Sequence, residues 1–343
     1  MKKSEKIKVG ISVGDLNGIG LEIILKSFED NRMLDFCTPI LFGSSKTASY
    51  HKKALNIKTP INGIDYPDRA LHNKVNLVNV WKENVIIELG KPTGISGKYA
   101  FKSLESATKA LKNGDIDVLI TAPINKHNIQ SDNFNFKGHT EYLEANLSGE
   151  SLMILLTDEI RLGLVTGHIP LKEVVETITE DLIIKKVNIL HDSLVKDFNI
   201  SKPKIAILGI NPHNGDNGVI GTEDDEIVRP AISEIQKTGK LVYGPYASDS
   251  FFGSESFKKF DGVLAMYHDQ GLGPFKTMSF GKGVNFTAGL DKIRTSPDHG
   301  TAYEIAGENL ADHGSFTEAV FKAIQIFKTR SEYVDLVENQ LKS

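Results

Sequence analysis

The chain has 343 residues, 24% of them charged, and a formal net charge of −4, which gives no electrostatic case for nucleic acid or an anionic membrane as a partner. One cysteine, Cys37, excludes both an intramolecular disulfide and a cysteine-based zinc centre. No apolar run nears the ~20 residues that span a bilayer, and the apolar stretch after the charged start is too short, and broken at Gly10, for a signal segment; a reduced, cytoplasmic setting is expected.

In chain order, residues 8–13 are β-branched and apolar and predict a strand, which the loop Gly14-Asp15-Leu16-Asn17-Gly18-Ile19-Gly20 ends. A helical pattern follows over 21–28. Further buried strands are predicted at 39–42, 118–121, 152–156, 162–166, 204–210 and 262–266. Amphipathic helices are predicted at 98–112, 171–178, 182–197, 224–237 and 316–329. The stretch 56–91 is less regular and reads as an extended or hairpin insertion. Alternating strands and helices imply α/β layers around a largely parallel sheet. The length exceeds what one small core organises, yet no Pro/Gly-rich linker divides the chain. Two interleaved domains are therefore expected, with the chain crossing more than once and the termini sharing one of them.

Chemistry concentrates at strand ends, where open α/β sheets bind ligands. His168, His213 and His268 each sit there beside glycine or proline. Neutral imidazoles can hold a divalent ion and leave a position for substrate. Their separations are long, so unrelated loop histidines making turn hydrogen bonds is the competing reading. Asp249 could be a further ligand or orient one; taken alone it reads as an N-cap, since Ser250, Phe251 and Phe252 look like a helix start. Gly138 precedes another helix start, where amide N–H groups with His139 and Thr140 suit a phosphate or carboxylate, or form a plain capping turn. Lys276, Asn285 and Arg294 form a third set, in which a guanidinium fork and a point charge match an anion. Either cation alone reads equally as surface charge. In the fourth segment, His299, Gly300, Thr301 and Ala302 could admit a nucleotide at close backbone approach. No G-x-G-x-x-G occurs anywhere, and Gly14–Gly20 lacks the ending of a P-loop.

Together these segments resemble the 4-hydroxythreonine-4-phosphate dehydrogenase family of vitamin B6 synthesis, the PdxA family. The matching stretches are GDLNGIGLE (14–22), TAPINKHNI (121–129), FKGHTEYLEA (136–145), TGHIPLKEV (166–174), NPHNGDNGVIGTEDDE (211–226), GPYASDSFF (244–252) and the run 261–307, which includes YHDQGLGPFK and SPDHGTAYEIAG. They span nearly the whole chain, in order. The resemblance implies two interleaved α/β/α domains of the isocitrate/isopropylmalate dehydrogenase-like type with an active-site cleft between them. It implies a nucleotide-side domain of 1–127 plus 276–343 and a central domain of 128–275 with the metal ligands and dimer contacts. A homodimer with its active site at the subunit interface is implied as well.

By the same resemblance, His168, His213 and His268 match metal ligands. His139, Thr140, Lys276, Asn285 and Arg294 match substrate-binding positions, and His299 to Ala302 match a non-Rossmann nucleotide loop. The implied reaction is NAD-dependent oxidation of 4-phosphooxy-L-threonine at C3, then decarboxylation to 3-amino-2-oxopropyl phosphate. NADP is the alternative nucleotide. Zinc is the expected metal, with magnesium, manganese or cobalt as alternatives. Lys276 and Asp249 are the candidate catalytic side chains, and Lys276 could take the hydroxyl proton if burial and neighbouring cations lower its pKa. Relatives acting on 4-phospho-D-threonate or 4-phospho-D-erythronate, or on aromatic dihydrodiols, are the nearest rivals; a non-catalytic metabolite-binding protein is the rival from another class. The family usually reads GEPAGIGPE where this chain has GDLNGIGLE: Asp15 replaces Glu, Asn17 replaces Ala, and Leu16 and Leu21 replace prolines. Ser248 stands where alanine is common, and 56–91 carries no motif of the family.

Overall fold

The computed structural model describes residues 6–279 and 281–339. The chain opens with β1 (Ile7–Ser12), β2 (Cys37–Gly43), β3 (Ile61–Ile64), β4 (Val75–Asn79) and β5 (Val118–Thr121). It continues through β6 (Gly149–Leu156), β7 (Arg161–Leu164), β8 (Lys204–Leu208), β9 (Leu241–Tyr246), β10 (Gly262–Ala265) and β11 (Val284–Leu290), then β12 (Ile293–Pro297). The result is a mixed α/β protein of two compact units. One runs to Ser148 and resumes over Leu290–Phe327; the other is Gly149–Gly289, resumed from Lys328.

In the first unit the strand order is β3-β4-β2-β1-β5-β12, and neighbouring strands pair parallel throughout. Such strands are covered on both faces, so β2 is buried at all its positions and reads as a near-continuous apolar run. Helix Gly94–Asn113 shows how sequence sets its own limits. Thr93 caps it by accepting from the Ser96 amide, and Gly114, at φ 81, ends it. Its buried stripe of Ala100, Leu104, Ala107 and Leu111 recurs every three or four residues and packs with Ile40, Phe42 and Leu119.

In the second unit the order is β11-β6-β7-β10-β8-β9. β6 and β7 pair antiparallel, whereas β7, β10, β8 and β9 run parallel in turn. Its core joins Leu162, Leu164, Ala206, Leu208, Val263 and Phe275.

The stretch 56–91 is not a hairpin insertion. It supplies β3 and β4, which pair parallel with each other and continue the first unit's sheet from β2. Asn62, Gly63, Asn76 and Asn79 interrupt their apolar patterns, which hides these strands from a periodicity reading. The units part at 148/149, 289/290 and 327/328, where the resemblance implied 127/128 and 275/276, and the last helix from Lys328 on goes with the second unit instead of sharing the first with β1. Residues 128–148 stay with the first unit because Phe134, Tyr142 and Leu143 are buried among Leu104, Ala107 and Ile129. Residues 276–289 stay with the second because β11 lies beside β6. Among the described residues no helix is long and apolar enough to cross a membrane.

Candidate functional site

In the second unit, the parallel order β7-β10-β8 aligns three carboxyl ends, and one of the three histidines follows each. Past β7 and β10 the pairing continues: the amides of Val165 and Thr166 donate to the carbonyls of Ala265 and Met266, and Thr166 Oγ1 donates to Met266 O at 2.7 Å. This brings His168 and His268 side by side, with ring centroids 5.4 Å apart. Together with Gly167, Ile169, Leu171, Val174, Tyr267 and Asp269 they line a cavity of about 480 Å³. Asp269 Oδ1 lies 2.6 Å from His268 Nδ1, which leaves Nε2 of that ring for a ligand. A carboxylate on the far nitrogen is the usual way a metal-binding imidazole is oriented. Two neighbouring imidazoles, one so oriented, at an open cavity fit a borderline divalent cation.

His213 stands on the loop after β8, and its setting differs. Six consecutive residues, His213 to Gly218, have positive φ, and four of them carry side chains. Such backbone is costly, about 1–3 kcal/mol per residue, and persists where surrounding structure enforces it. Here the Asp224 carboxylate accepts from the amides of Ile210 and Asn211, and Asn214 Nδ2 donates to Pro245 O. Among the described residues, no group of three or more His, Cys, Asp or Glu is gathered at metal-binding distance. Asp249 is exposed in the first turn of Ser248–Gly253 and is not its N-cap; the extended residue before that helix is Ala247. Lys276 is exposed near the end of helix His268–Ser279. Asn285, half-buried on β11, keeps its Oδ1 enclosed and without a hydrogen bond.

The first unit holds a cationic cluster. Arg294 on β12 is buried, and its Nε and one terminal nitrogen donate to Thr121 Oγ1 at the end of β5. Burial pulls its pKa down to about 9, against the pull of Glu141. His139 opens helix His139–Asn146, whose start has no side-chain cap, so its first amides suit an anion. The His139 Nε2 is enclosed and makes no hydrogen bond. Burial first, then Arg294 and Lys126, hold this imidazole well below its ordinary pKa, hence neutral near pH 7. An enclosed neutral donor beside a buried guanidinium is the arrangement an anionic group would complete. Thr140 follows on the same turn, half-buried. Sequence reasoning passed over Thr121, Lys126 and Asp269, although all three lie inside the quoted motifs; only their spatial neighbours give them a role.

The segment 299–302 also lies in the first unit. Ala302 adopts φ 44 and ψ 55, and the space beside Gly300 is open. Open backbone on a firmly held base fits a nucleotide. Beneath it, the loop Gly14–Gly20 is in close contact. Gly14, at φ 71, has no room for a side chain, since a Cβ would lie 2.3 Å from Pro123 O. At Gly18 a Cβ would stand 2.8 Å from Thr301 O, the atom to which the Ile19 amide donates.

Comparison with known proteins identifies the family. The family model described as pyridoxal phosphate biosynthetic protein PdxA matches residues 35–323. The 4-hydroxythreonine-4-phosphate dehydrogenase of Bacteroides thetaiotaomicron is 49% identical over 330 residues, covering 96% of this chain and 91% of that protein. The D-threonate 4-phosphate dehydrogenase of Cupriavidus necator is 34% identical, covering 94% and 98%. The solved structure of the Klebsiella pneumoniae 4-hydroxythreonine-4-phosphate dehydrogenase superposes with a TM-score of 0.80 at 31% identity, covering 95% of this chain and 98% of that one. The chain belongs to the PdxA family of pyridoxal phosphate biosynthetic proteins.

Proposed function

We propose that this protein is a metal-dependent NAD dehydrogenase that oxidises 4-phosphooxy-L-threonine at C3 and decarboxylates the resulting β-keto acid to 3-amino-2-oxopropyl phosphate. The observation that carries this reading is the enclosed pair of Arg294 and His139 at an uncapped helix start, a built site for a phosphate or carboxylate. The 49% identical relative, named for that substrate, supports the choice of anion.

The residues take these roles. His139, Thr140 and the first amides of their helix bind the phosphate, while Arg294, held by Thr121, and Lys276 bind the anionic groups. Asn285 orients the substrate through its unsatisfied Oδ1. His168, His213 and His268 hold the divalent ion, zinc by the preference of imidazole donors. When bound, the ion supplies Lewis acidity at the substrate oxygen and the nicotinamide accepts hydride. Asp269 orients His268. Asp249 and Lys276 are the candidates to move the hydroxyl proton. His299 to Ala302 carry the nucleotide. The working form is a cytoplasmic homodimer with its site at the subunit interface. Leu171, 72% exposed at the histidine cavity, and Val175, exposed on the same helix, give such an interface an apolar face.

A second reading takes 4-phospho-D-threonate as substrate, favoured by the Cupriavidus necator relative. The test follows NADH absorbance with NAD, added divalent metal and each phosphorylated acid in turn, with and without a chelator. Chelator-sensitive NADH formation that prefers the amino acid phosphate is expected. Preference for the threonate would replace the substrate; no NADH with any of them would overturn the dehydrogenase reading.

A further inference from the structure

The loop Gly14–Gly20 buries two polar side chains that none of the roles above uses. Asp15 is 1% exposed and Asn17 is 0% exposed. The Asp15 carboxylate accepts from the Asn17 amide at 2.9 Å, Ser96 Oγ at 3.0 Å and Asn128 Nδ2 at 2.8 Å. Tyr303 is drawn into this group: burial and then the Asp15 charge raise its pKa. Asn17 faces the other way. Its Oδ1 accepts from the Glu88 amide at 2.9 Å, and its Nδ2 donates to Lys91 O at 2.8 Å and Thr93 Oγ1 at 3.1 Å. Its backbone carbonyl takes the Gly90 amide at 2.9 Å. Of the bonds to segment 88–93, an alanine, the family's usual residue here, would keep only the last.

Three of the bonds that fasten segment 88–93 thus come from one side chain, and the segment in turn packs on the nucleotide segment. A Cβ at Gly90 would stand 3.0 Å from Tyr303 O, and one at Gly307 would stand 2.9 Å from Leu89. From loop 14–20, Gly18 and Ile19 press on Thr301. Segment 299–307 is thus gripped between loop 14–20 and segment 88–93, and Asn17 is the residue joining the two.

We propose that Asn17 is a positioning residue for the nucleotide: by fastening segment 88–93 it holds segment 299–307 in the shape that binds NAD. This rests on the nucleotide role given above to His299–Ala302. Loosening the clamp lowers the fraction of molecules in the competent shape, and apparent affinity falls by that fraction. Because coupling between sites is reciprocal, NAD should in turn protect segment 88–93.

The test titrates NAD into the metal-loaded protein and follows hydrogen exchange of peptides covering 82–93 by mass spectrometry. Asn17→Ala should bind NAD about tenfold more weakly, with faster exchange over 88–93, while kcat at saturating NAD and the KM for the phosphorylated acid stay within about twofold. In the wild type, saturating NAD should slow exchange of the same peptides, a measurement that needs no variant to fold. Equal NAD affinity in wild type and Asn17→Ala, or no protection of 88–93 by NAD, overturns the proposal while leaving the nucleotide role intact. Failure of the wild type to bind NAD at all overturns both.

Discussion

His51 offers a test of how burial without partners shapes the acid stability of this fold. It lies on helix Ser45–Ala54, is 0% exposed, and neither ring nitrogen makes a hydrogen bond. Burial lowers its pKa to about 4, and the Leu16 carbonyl, which opposes that shift without closing a hydrogen bond, offsets it only in part. The folded protein thus refuses a proton that the unfolded chain accepts below its ordinary value near 6.5. Stability is unaffected above pH 7, falls as pH drops through 6.5, and levels off below about 4. The full loss is about 3 kcal/mol at ~1.36 kcal/mol per decade, and about 2 kcal/mol is already lost at pH 5. His51→Leu removes the titrating group and two unsatisfied nitrogens at similar volume, so it should be neutral or stabilising at pH 7.5. Urea unfolding of both proteins at pH 7.5 and pH 5 should show the wild type losing about 2 kcal/mol more than the variant. Equal losses, or a His51 ring signal that titrates near 6.5 in the folded protein, would refute the reasoning.

Three further outcomes follow from the sites. Arg294→Met removes the buried guanidinium and should raise the KM for the phosphorylated substrate roughly 10- to 150-fold, the equivalent of about 1.5–3 kcal/mol, with NAD affinity unchanged; an unaltered KM would remove Arg294 from the anion site. Asp269→Asn should weaken divalent-metal affinity by about 10- to 100-fold in a chelator competition, since it loses the carboxylate that orients His268; undiminished affinity would reduce that contact to a surface pair. Cys37 is buried, and burial pushes its thiol pKa up to about 12. At pH 8 it should react with a disulfide reagent roughly a thousandfold more slowly in the folded protein than after unfolding, and a fast native reaction would contradict its placement in β2.

Much of the layout is legible in the residues because burial and periodicity coincide there. The parallel strands β1, β2, β5 and β10 are runs of apolar residues, and helix Gly94–Asn113 carries its cap, stripe and terminal glycine in plain sequence. β3 and β4 escape because asparagines occupy them: Asn76 is wholly buried, and its polar atoms are spent on Asn62, Leu71, Lys74 and Pro39. Their apolar signal is therefore diluted by a network that only the fold completes. Helix His268–Ser279 escapes for another reason, since Gly271, Gly273 and Pro274 all argue locally against a helix.

The loop Gly14–Gly20 shows where residue types cease to be informative. Its glycines announce a tight passage, which the contacts with Pro123 and Thr301 explain. Its polar departures from the family pattern, Asp15 and Asn17, are equally visible in sequence, but visible only as oddities. A buried polar side chain costs free energy unless its partners are present. The partners of Asn17 are mostly backbone atoms, the Glu88 amide and the Lys91 carbonyl, which every residue type possesses. No residue code at 88–93 could have advertised them. A replacement at position 17 therefore alters the attachment of a segment some seventy residues away with no compensating change that a sequence reading could detect, and its consequence has to be sought in the behaviour of that segment.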